Sequence, residues 1–365
     1  MEKTESEKKN NLNSKVNKSK HDKKLKEKEK EKEEEPIYKN IELPSDCFIS
    51  SPKIIDFPVK GIKIISSLNN GILGVYGEDK VLRLYKPEEY NLYYSMDLEY
   101  ELINYITQFK DNRIAICAGK VIRIIKILND DEYLIDETLT KHKANTNMII
   151  ELDDGRYASC SEDKKIIIWK YRKFRERYCK EFSLKNELGI IYSIFQVNEK
   201  EIISLSSGHI NFWNINKKEI EYKLDNFYAG FGTNIFSFIG NSNDNSERTD
   251  LLAIAGFTNK GIYILKISTH EIIKNISSCY QNVLCIYKTF NSNYLTMEEE
   301  NNTIYFRIYK FNNDNDNIVL EKSYESSISD CLFKHLVQLK NDNNWKYSVI
   351  SVTEGKIYLW ENNNQ

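Results

Sequence analysis

The sequence predicts an all-β protein: a seven-bladed β-propeller of four-stranded antiparallel blades, its ring closed by an N-terminal strand, with a disordered or helical charged N-terminal tail. Three observations lead there. A short apolar strand with a large side chain near its end recurs along the chain, at intervals of 40, 44, 44, 52, 44 and 51 residues. Each recurrence follows an apolar strand, a polar turn and a second short apolar strand, and most are followed by one more, which makes four strands per period of about 44 residues. Three of the four tryptophans share one position of the repeat.

The tail comes first. Residues 1–36 form a charged low-complexity segment, and residues 37–365 form the propeller. Among residues 1–35, 22 are charged, too many for the segment to bury the surface that would offset its ordering entropy. The stretch KKLKEKEKEKEEE (23–35) can form a solvated helix through i,i+4 Glu–Lys pairs, and Pro36 would end it. The basic cluster KSKHDKKLK (18–26) is open to nuclear import receptors, but the interleaved glutamates favour a solubilising tail.

The repeats follow. Their third strands read KVLRLYK, KVIRIIK, KIIIWK, HINFWN, GIYILK, YFRIYK and KIYLWE, and place the anchor residues at Tyr85, Ile125, Trp169, Trp213, Leu265, Tyr309 and Trp360. The long intervals carry polar insertions at 240–250 and 311–317, which belong in surface loops. After Trp360 only ENNNQ remains, so the last blade lacks an outer strand. The segment DCFISSPKIIDF (46–57) has strand composition and no partner of its own; it is expected to pair beside 356–361 and remove an open sheet edge.

Composition agrees with a packed core: 41% of the 365 residues are hydrophobic and 12% aromatic. A net charge of −2 gives no global pull toward nucleic acid or membrane. No apolar run approaches a membrane span, and residues 1–35 lack a signal peptide's apolar stretch, so the expected compartment is the cytoplasm, with the nucleus as the alternative. The 7 scattered cysteines hold no C-x-x-C pair and read as buried reduced thiols. Glycine is scarce at 14 residues, and asparagine is expected to fill many of the turn positions it leaves.

The third repeat, KHKANTNMIIELDDGRYASCSEDKKIIIWK (141–170), resembles the WD40 repeat in its histidine, its Asp-Gly turn, its Ser-x-Ser-x-Asp and its terminal tryptophan. The resemblance implies a hydrogen-bonded chain of His142, Ser159, Asp163 and Trp169, in which the buried indole N–H finds an acceptor. The other repeats depart from the pattern. The Trp-Asp dipeptide occurs nowhere, and Lys170, Asn214 and Glu361 take the aspartate's place.

Nothing along the chain points to catalysis. Paired carboxylates with histidine, nucleophile–base arrangements, glycine-rich phosphate loops and metal-ligand clusters are all missing, so no cofactor and no metal are expected. The Phe-Arg-Arg-Gly motif of phosphoinositide-binding propellers is missing too. The expected function is a non-catalytic interaction scaffold for proteins or peptides, monomeric or part of a larger complex, with no membrane contact.

Two patches are candidate binding surfaces. WKYRKFRERYCK (169–180) sets Lys170, Arg172, Lys173, Arg175, Arg177 and Lys180 against the single acid Glu176, with Tyr171, Phe174 and Tyr178 interleaved. That alternation suits RNA or an acidic peptide; a solvated hairpin is the plainer reading. By resemblance it lies on the bottom rim, and Trp169-Lys170-Tyr171-Arg172 is similar to the W-D-x-R box of propellers that dock on the damage-binding adaptor of cullin ubiquitin ligases, with Lys170 reversing one charge. The second patch, MEEENN (297–302), is expected at a second-to-third-strand turn, which by resemblance belongs to the opposite, top face, with Glu298, Glu299 and Glu300 available to peptides. Arg83, Arg123 and Arg307, each two residues before an anchor, are expected to form inter-blade salt bridges. The alternatives to a scaffold are an RNA-associated assembly factor using 170–180, and a substrate receptor of a cullin-type ubiquitin ligase.

Overall fold

The computed structural model describes residues 53–56, 61–86, 91–98, 102–128, 132–186, 189–206, 208–225, 236–239, 250–256, 261–276, 282–288, 293–300, 303–312, 317–325, 335–341, 344–350 and 356–359. The tail 1–36 and the anchor Trp360 lie outside them.

The first strand, β1 (Lys53–Asp56), is followed by six four-stranded meanders. Blade 1 comprises β2 (Ile62–Ser67), β3 (Leu73–Gly77), β4 (Val81–Tyr85) and β5 (Leu92–Asp97). Blade 2 comprises β6 (Ile103–Gln108), β7 (Ile114–Ala118), β8 (Val121–Ile127) and β9 (Tyr133–Leu139). In blade 3 come β10 (Thr146–Glu151), β11 (Tyr157–Ser161), β12 (Lys165–Arg172) and β13 (Arg177–Lys185). Blade 4 holds β14 (Ile191–Asn198), β15 (Glu201–Ser206), β16 (His209–Asn214) and β17 (Glu219–Asp225). Blade 5 holds β18 (Phe236–Ile239), β19 (Leu251–Gly256), β20 (Gly261–Lys266) and β21 (Glu271–Ile276), and blade 6 holds β22 (Asn282–Lys288), β23 (Asn293–Glu300), β24 (Thr303–Asn312) and β25 (Asn317–Glu325). Among the described residues the helical turns are two short 3-10 segments, Asn69–Gly71 and Lys173–Arg175.

The blade count corrects the expectation. Among the described residues, six complete four-stranded blades stand where seven were expected. The last period forms two two-stranded sheets instead: β26 (His335–Asn341) pairs with β27 (Asn344–Ile350), and β1 pairs with β28 (Lys356–Leu359). β28 runs beside β27, but no hydrogen-bonded ladder joins them among the described residues. The strand contributed from upstream of the repeats does pair where the sequence places it, Lys53 opposite Leu359 and Asp56 opposite Lys356.

The core lies between blades. Strands β3, β7, β11 and β15 are buried along their whole length, because each sits mid-sheet with a neighbouring blade on either face. That is why LGVYG and IAICA show no polar alternation, and why the two serines of YASCS are buried as well. One apolar cluster joins blades 1 and 2 through Leu84, Met96 and Ile116, and another joins blades 2 and 3 through Ile124, Ile149 and Trp169. A third joins blades 3 and 4 through Ile168 and Trp213. The anchors Tyr85, Ile125, Trp169, Trp213, Leu265 and Tyr309 are all buried.

Each of these six anchors also sits at a β-bulge. The third-to-fourth-strand register shifts between Leu84 and Tyr85, Ile124 and Ile125, Ile168 and Trp169, Phe212 and Trp213, Ile264 and Leu265, and Ile308 and Tyr309. An extra residue there bends the outer strand and increases its twist, as a wedge-shaped blade requires. A second repeated device clasps neighbouring blades. The backbone N–H of Asn69 donates to Gln108 at 2.7 Å, that of Lys110 to Glu151 at 2.8 Å, and that of Asp153 to Gln196 at 3.1 Å. In each case the innermost strand of one blade satisfies the first turn of the blade before it.

Asparagine does not take over the left-handed turns. Among described non-glycine residues with positive φ, Lys80, Lys164 and Lys218 outnumber Asn112. In the matching turns GEDKV and SEDKK, the Lys80 N–H donates to Gly77 and the Lys164 N–H to Ser161, so the turn's own hydrogen bond holds the lysine there.

Candidate functional site

Blade 3 contains a linked polar chain at its centre. Trp169 Nε1–H donates to Ser159 Oγ at 2.8 Å, Ser159 Oγ lies 2.8 Å from His142 Nε2, and His142 Nδ1 lies 3.1 Å from Asp163 Oδ2. One proton arrangement satisfies every member: the hydroxyl accepts from the indole and donates to a neutral Nε2, while Nδ1–H donates to the carboxylate. Burial, outweighing the nearby Asp163 charge, holds the His142 pKa below its ordinary value and favours that neutral ring. Asp163 also accepts the backbone N–H of Lys143 at 2.9 Å and of Lys165 at 3.1 Å, which ties the chain to both flanking turns. Blade 4 keeps a fragment of this chain, Trp213 Nε1–H to Ser204 Oγ at 2.7 Å.

Blade 6 solves the same problem with charge, which corrects the reading of its acidic patch. Glu298 is not at a turn; it lies within β23 and is fully buried. Its carboxylate accepts from Tyr309 Oη at 2.7 Å and Thr296 Oγ1 at 2.7 Å, and it pairs with Arg307. A buried carboxylate needs such partners, so Glu298 is committed inside the blade. Glu299 and Glu300 also belong to β23, and their side chains lie outside the described residues. The arginines two residues before the anchors each have a partner within their own blade: Arg83 with Asp79, Arg123 with Thr138 Oγ1 at 2.6 Å, and Arg307 with Glu298.

The basic segment forms a hairpin on the outer side of blade 3. β12 continues past Trp169 through Lys170, Tyr171 and Arg172, which pair with Cys179, Tyr178 and Arg177 of β13. Lys173–Arg175 makes a single helical turn, and Glu176 in the left-handed region (φ 51°) returns the chain. The root of this hairpin is fixed. Tyr178 stacks on Tyr157 at 4.0 Å, and Tyr157 stacks on Phe109 of blade 2 at 4.2 Å. Arg113 donates to Tyr157 Oη at 2.8 Å and to Asp136 at 2.7 Å, the Tyr178 N–H donates to Glu137 of β9, and Tyr178 Oη donates to the Gly155 carbonyl at 3.1 Å.

The tip is different. Phe174 is 79% exposed and Tyr171 47% exposed, with the Arg175 guanidinium over the Phe174 ring at 5.3 Å. Lys170 reaches Glu181 at 3.7 Å, so the charge reversed relative to a Trp-Asp dipeptide is balanced within the blade. Arg172, Lys173, Arg175, Arg177 and Lys180 make no salt bridge among the described residues. Blade 3 is also the exception among the six blades at the outer position facing the anchor across the bulge. There the others place Leu92, Ile135, Ile220, Ile272 and Leu320, each partly exposed, and blade 3 places Lys180.

The structure thus brings together Lys170, Arg172, Lys173, Arg175, Arg177 and Lys180 on one hairpin and leaves Glu298 elsewhere and enclosed. Sequence reasoning missed Phe109, Arg113 and Tyr157. The available signal was Tyr157 itself, whose place opposite Trp169 follows once β11 and β12 are paired. Among the described residues no cluster of three or more His, Cys, Asp or Glu side chains could hold a metal ion, and no helix is long and apolar enough to cross a membrane.

No family model matches the chain, and no curated protein matches it. Solved structures do. A chain of the crystal structure of the Mitotic Checkpoint Complex superposes with a TM-score of 0.67 at 12% identity, covering 87% of this chain and 94% of that one. The WD40 β-propeller domain of Doa1 superposes with a TM-score of 0.61 at 12% identity, covering 86% of this chain and 96% of that one. At such identity the likeness is one of fold: the architecture is that of WD40 β-propeller domains.

Proposed function

We propose that this protein is a non-catalytic interaction scaffold that receives a protein partner on the blade-3 hairpin. The observation that carries the reading is the contrast within that hairpin: a root locked to blade 2 by stacked rings and hydrogen bonds, and a tip with Phe174 79% exposed among cations that pair with no carboxylate among the described residues. Exposed aromatics beside arginine are what protein interfaces concentrate at their centres. The Ser–His–Asp set of blade 3 supports a non-catalytic role, since Ser159 is fully buried and its oxygen is engaged by Trp169. A nucleophile needs access to substrate, and this hydroxyl has none. That one structural neighbour comes from a Mitotic Checkpoint Complex accords with a role in assemblies.

The test is site-specific photo-crosslinking in cells with the full chain. A crosslinker at position 174 should capture discrete partner proteins, and one at Ile273, an exposed outer-strand residue of blade 5, should not. Identical products from both positions, or none from position 174, overturn the reading. Adaptor docking of the cullin type retains one supporting feature, the Arg172 guanidinium without a salt-bridge partner. Arg172→Ala should abolish co-purification of such an adaptor if that is the partner; no adaptor in the wild-type preparation removes it.

A further inference from the structure

We infer that the tip of the blade-3 hairpin recognises a carboxylate-rich peptide with an apolar side chain near its centre. The inference rests on the scaffold reading above and names the chemistry of the partner. Charge supplies the first argument. Arg172, Lys173, Arg175 and Arg177 crowd one turn, and Glu176 is the sole acid among them. Like charges so close repel one another, and a segment of opposite sign relieves that repulsion as it binds. Lys180 extends the basic surface down the outer strand, at the position where five other blades present an apolar residue.

The rings supply the second argument. Arg175 covers Phe174 from one side, which leaves a single free face on a ring 79% exposed. Tyr171 stands edge-on to Tyr178, with centroids 5.5 Å apart, and Tyr178 is stacked on Tyr157. One free face flanked by cations fits an apolar side chain flanked by carboxylates. Single-stranded nucleic acid calls for something else, a run of open ring faces on which successive bases stack along a charged groove. The hairpin offers no such run.

The test uses the full chain and a fluorescein-labelled peptide of Glu and Asp residues around a central leucine pair, read by anisotropy. Three further probes accompany it: the same peptide with serine for leucine, the same with lysine for every acid, and an oligouridine of similar length. The acidic leucine peptide should bind, the lysine peptide should not, and serine for leucine should weaken binding at least about threefold. Arg175→Glu should weaken it about tenfold or more, and Phe174→Ser several-fold, while Lys274→Glu on blade 5 changes nothing. All three substitutions lie at surface positions, and an unchanged melting temperature confirms that each variant is folded. Binding of the leucine peptide that ignores Arg175→Glu and Phe174→Ser overturns the inference, as does tighter binding of oligouridine than of the peptide. No peptide binding, together with specific crosslinks from position 174, overturns the inference and leaves the scaffold reading standing.

Discussion

Ser159→Ala tests the central claim about blade 3, that one hydroxyl satisfies two buried groups at once. Ser159 Oγ takes the Trp169 indole N–H and meets His142 Nε2, both at 2.8 Å, and its residue is fully buried. Removing the hydroxyl strands both neighbours, and each stranded buried group costs about 1–3 kcal/mol. The expected loss is therefore about 2–4 kcal/mol, allowing some relaxation of the ring. Blade 4 supplies an internal control, since Ser204 Oγ accepts only the Trp213 indole N–H, at 2.7 Å. Ser204→Ala strands one group and should cost roughly half as much, about 1–2 kcal/mol. Both are read as shifts of the urea midpoint at unchanged slope, so that the two differences are comparable. If Ser204→Ala costs as much as Ser159→Ala, the coupling through His142 contributes nothing, and the linked chain is only a tryptophan–serine pair.

Arg307→Met should destabilise by about 3–5 kcal/mol by leaving the Glu298 carboxylate buried without its cation, whereas Glu298→Met/Arg307→Met should recover only part of that loss in the same urea titration, because the Tyr309 and Thr296 hydroxyls then lose their Glu298 acceptor. Stability should also fall with acidity: burial lowers the His142 pKa below 6.5, so the unfolded chain binds the proton more readily. His142 therefore contributes its full stabilisation above pH 6.5 and loses it at up to about 1.4 kcal/mol per pH unit below that, a slope that His142→Gln should flatten in melts across pH. Deleting residues 37–57 removes β1 and opens the edge of β28, so the protein should self-associate on size-exclusion chromatography; a monomer with an unchanged melting temperature would refute that closure. Tyr178→Leu keeps every tip charge but loses the stack on Tyr157, and should weaken binding of the acidic leucine peptide by about 0.5–1.5 kcal/mol with a less favourable binding entropy by calorimetry.

Much of the architecture was readable because the repeat is written in large side chains. Trp169 and Trp213 hold equivalent places because each wedges between blades and sends its N–H to a serine on the adjacent strand. Tyr309 and Leu265 occupy that position without an indole, so periodicity found them where a motif search would not. The closing strand was legible because Lys53–Asp56 had no partner of its own in sequence. The blade-to-blade clasps were not legible. Gln108, Glu151 and Gln196 act on backbone N–H groups about forty residues away, and a backbone acceptor site leaves no trace in residue identity. Glu298 misled for a related reason. A run of glutamates reads as solvated surface, and only the strand alternation of β23, with Arg307 and Tyr309 on the neighbouring strand β24, turns one of them inward.

The anchor and the candidate binding tip are parts of one strand, and that continuity gives the hairpin its use. Along β12, Ile166, Ile167, Ile168 and Trp169 are buried, and Lys170 is exposed at the next step. The bulge between Ile168 and Trp169 sets Lys180 opposite the tryptophan, so the basic face starts at the level where the sealed polar chain stops. Association is weakened by whatever must be ordered at the moment of binding. Here the turn of Lys173–Arg175 stands on two strands, one held at Trp169 by the chain of Ser159, His142 and Asp163 and the other at Tyr178 by the stack on Tyr157 and Phe109. A flexible loop with the same charges would lose conformational freedom in meeting a partner; here the strands at the root of the turn are already held by the fold. The repeat that best matches the WD40 pattern and the exposed Phe174 are neighbours because the first holds the second in place.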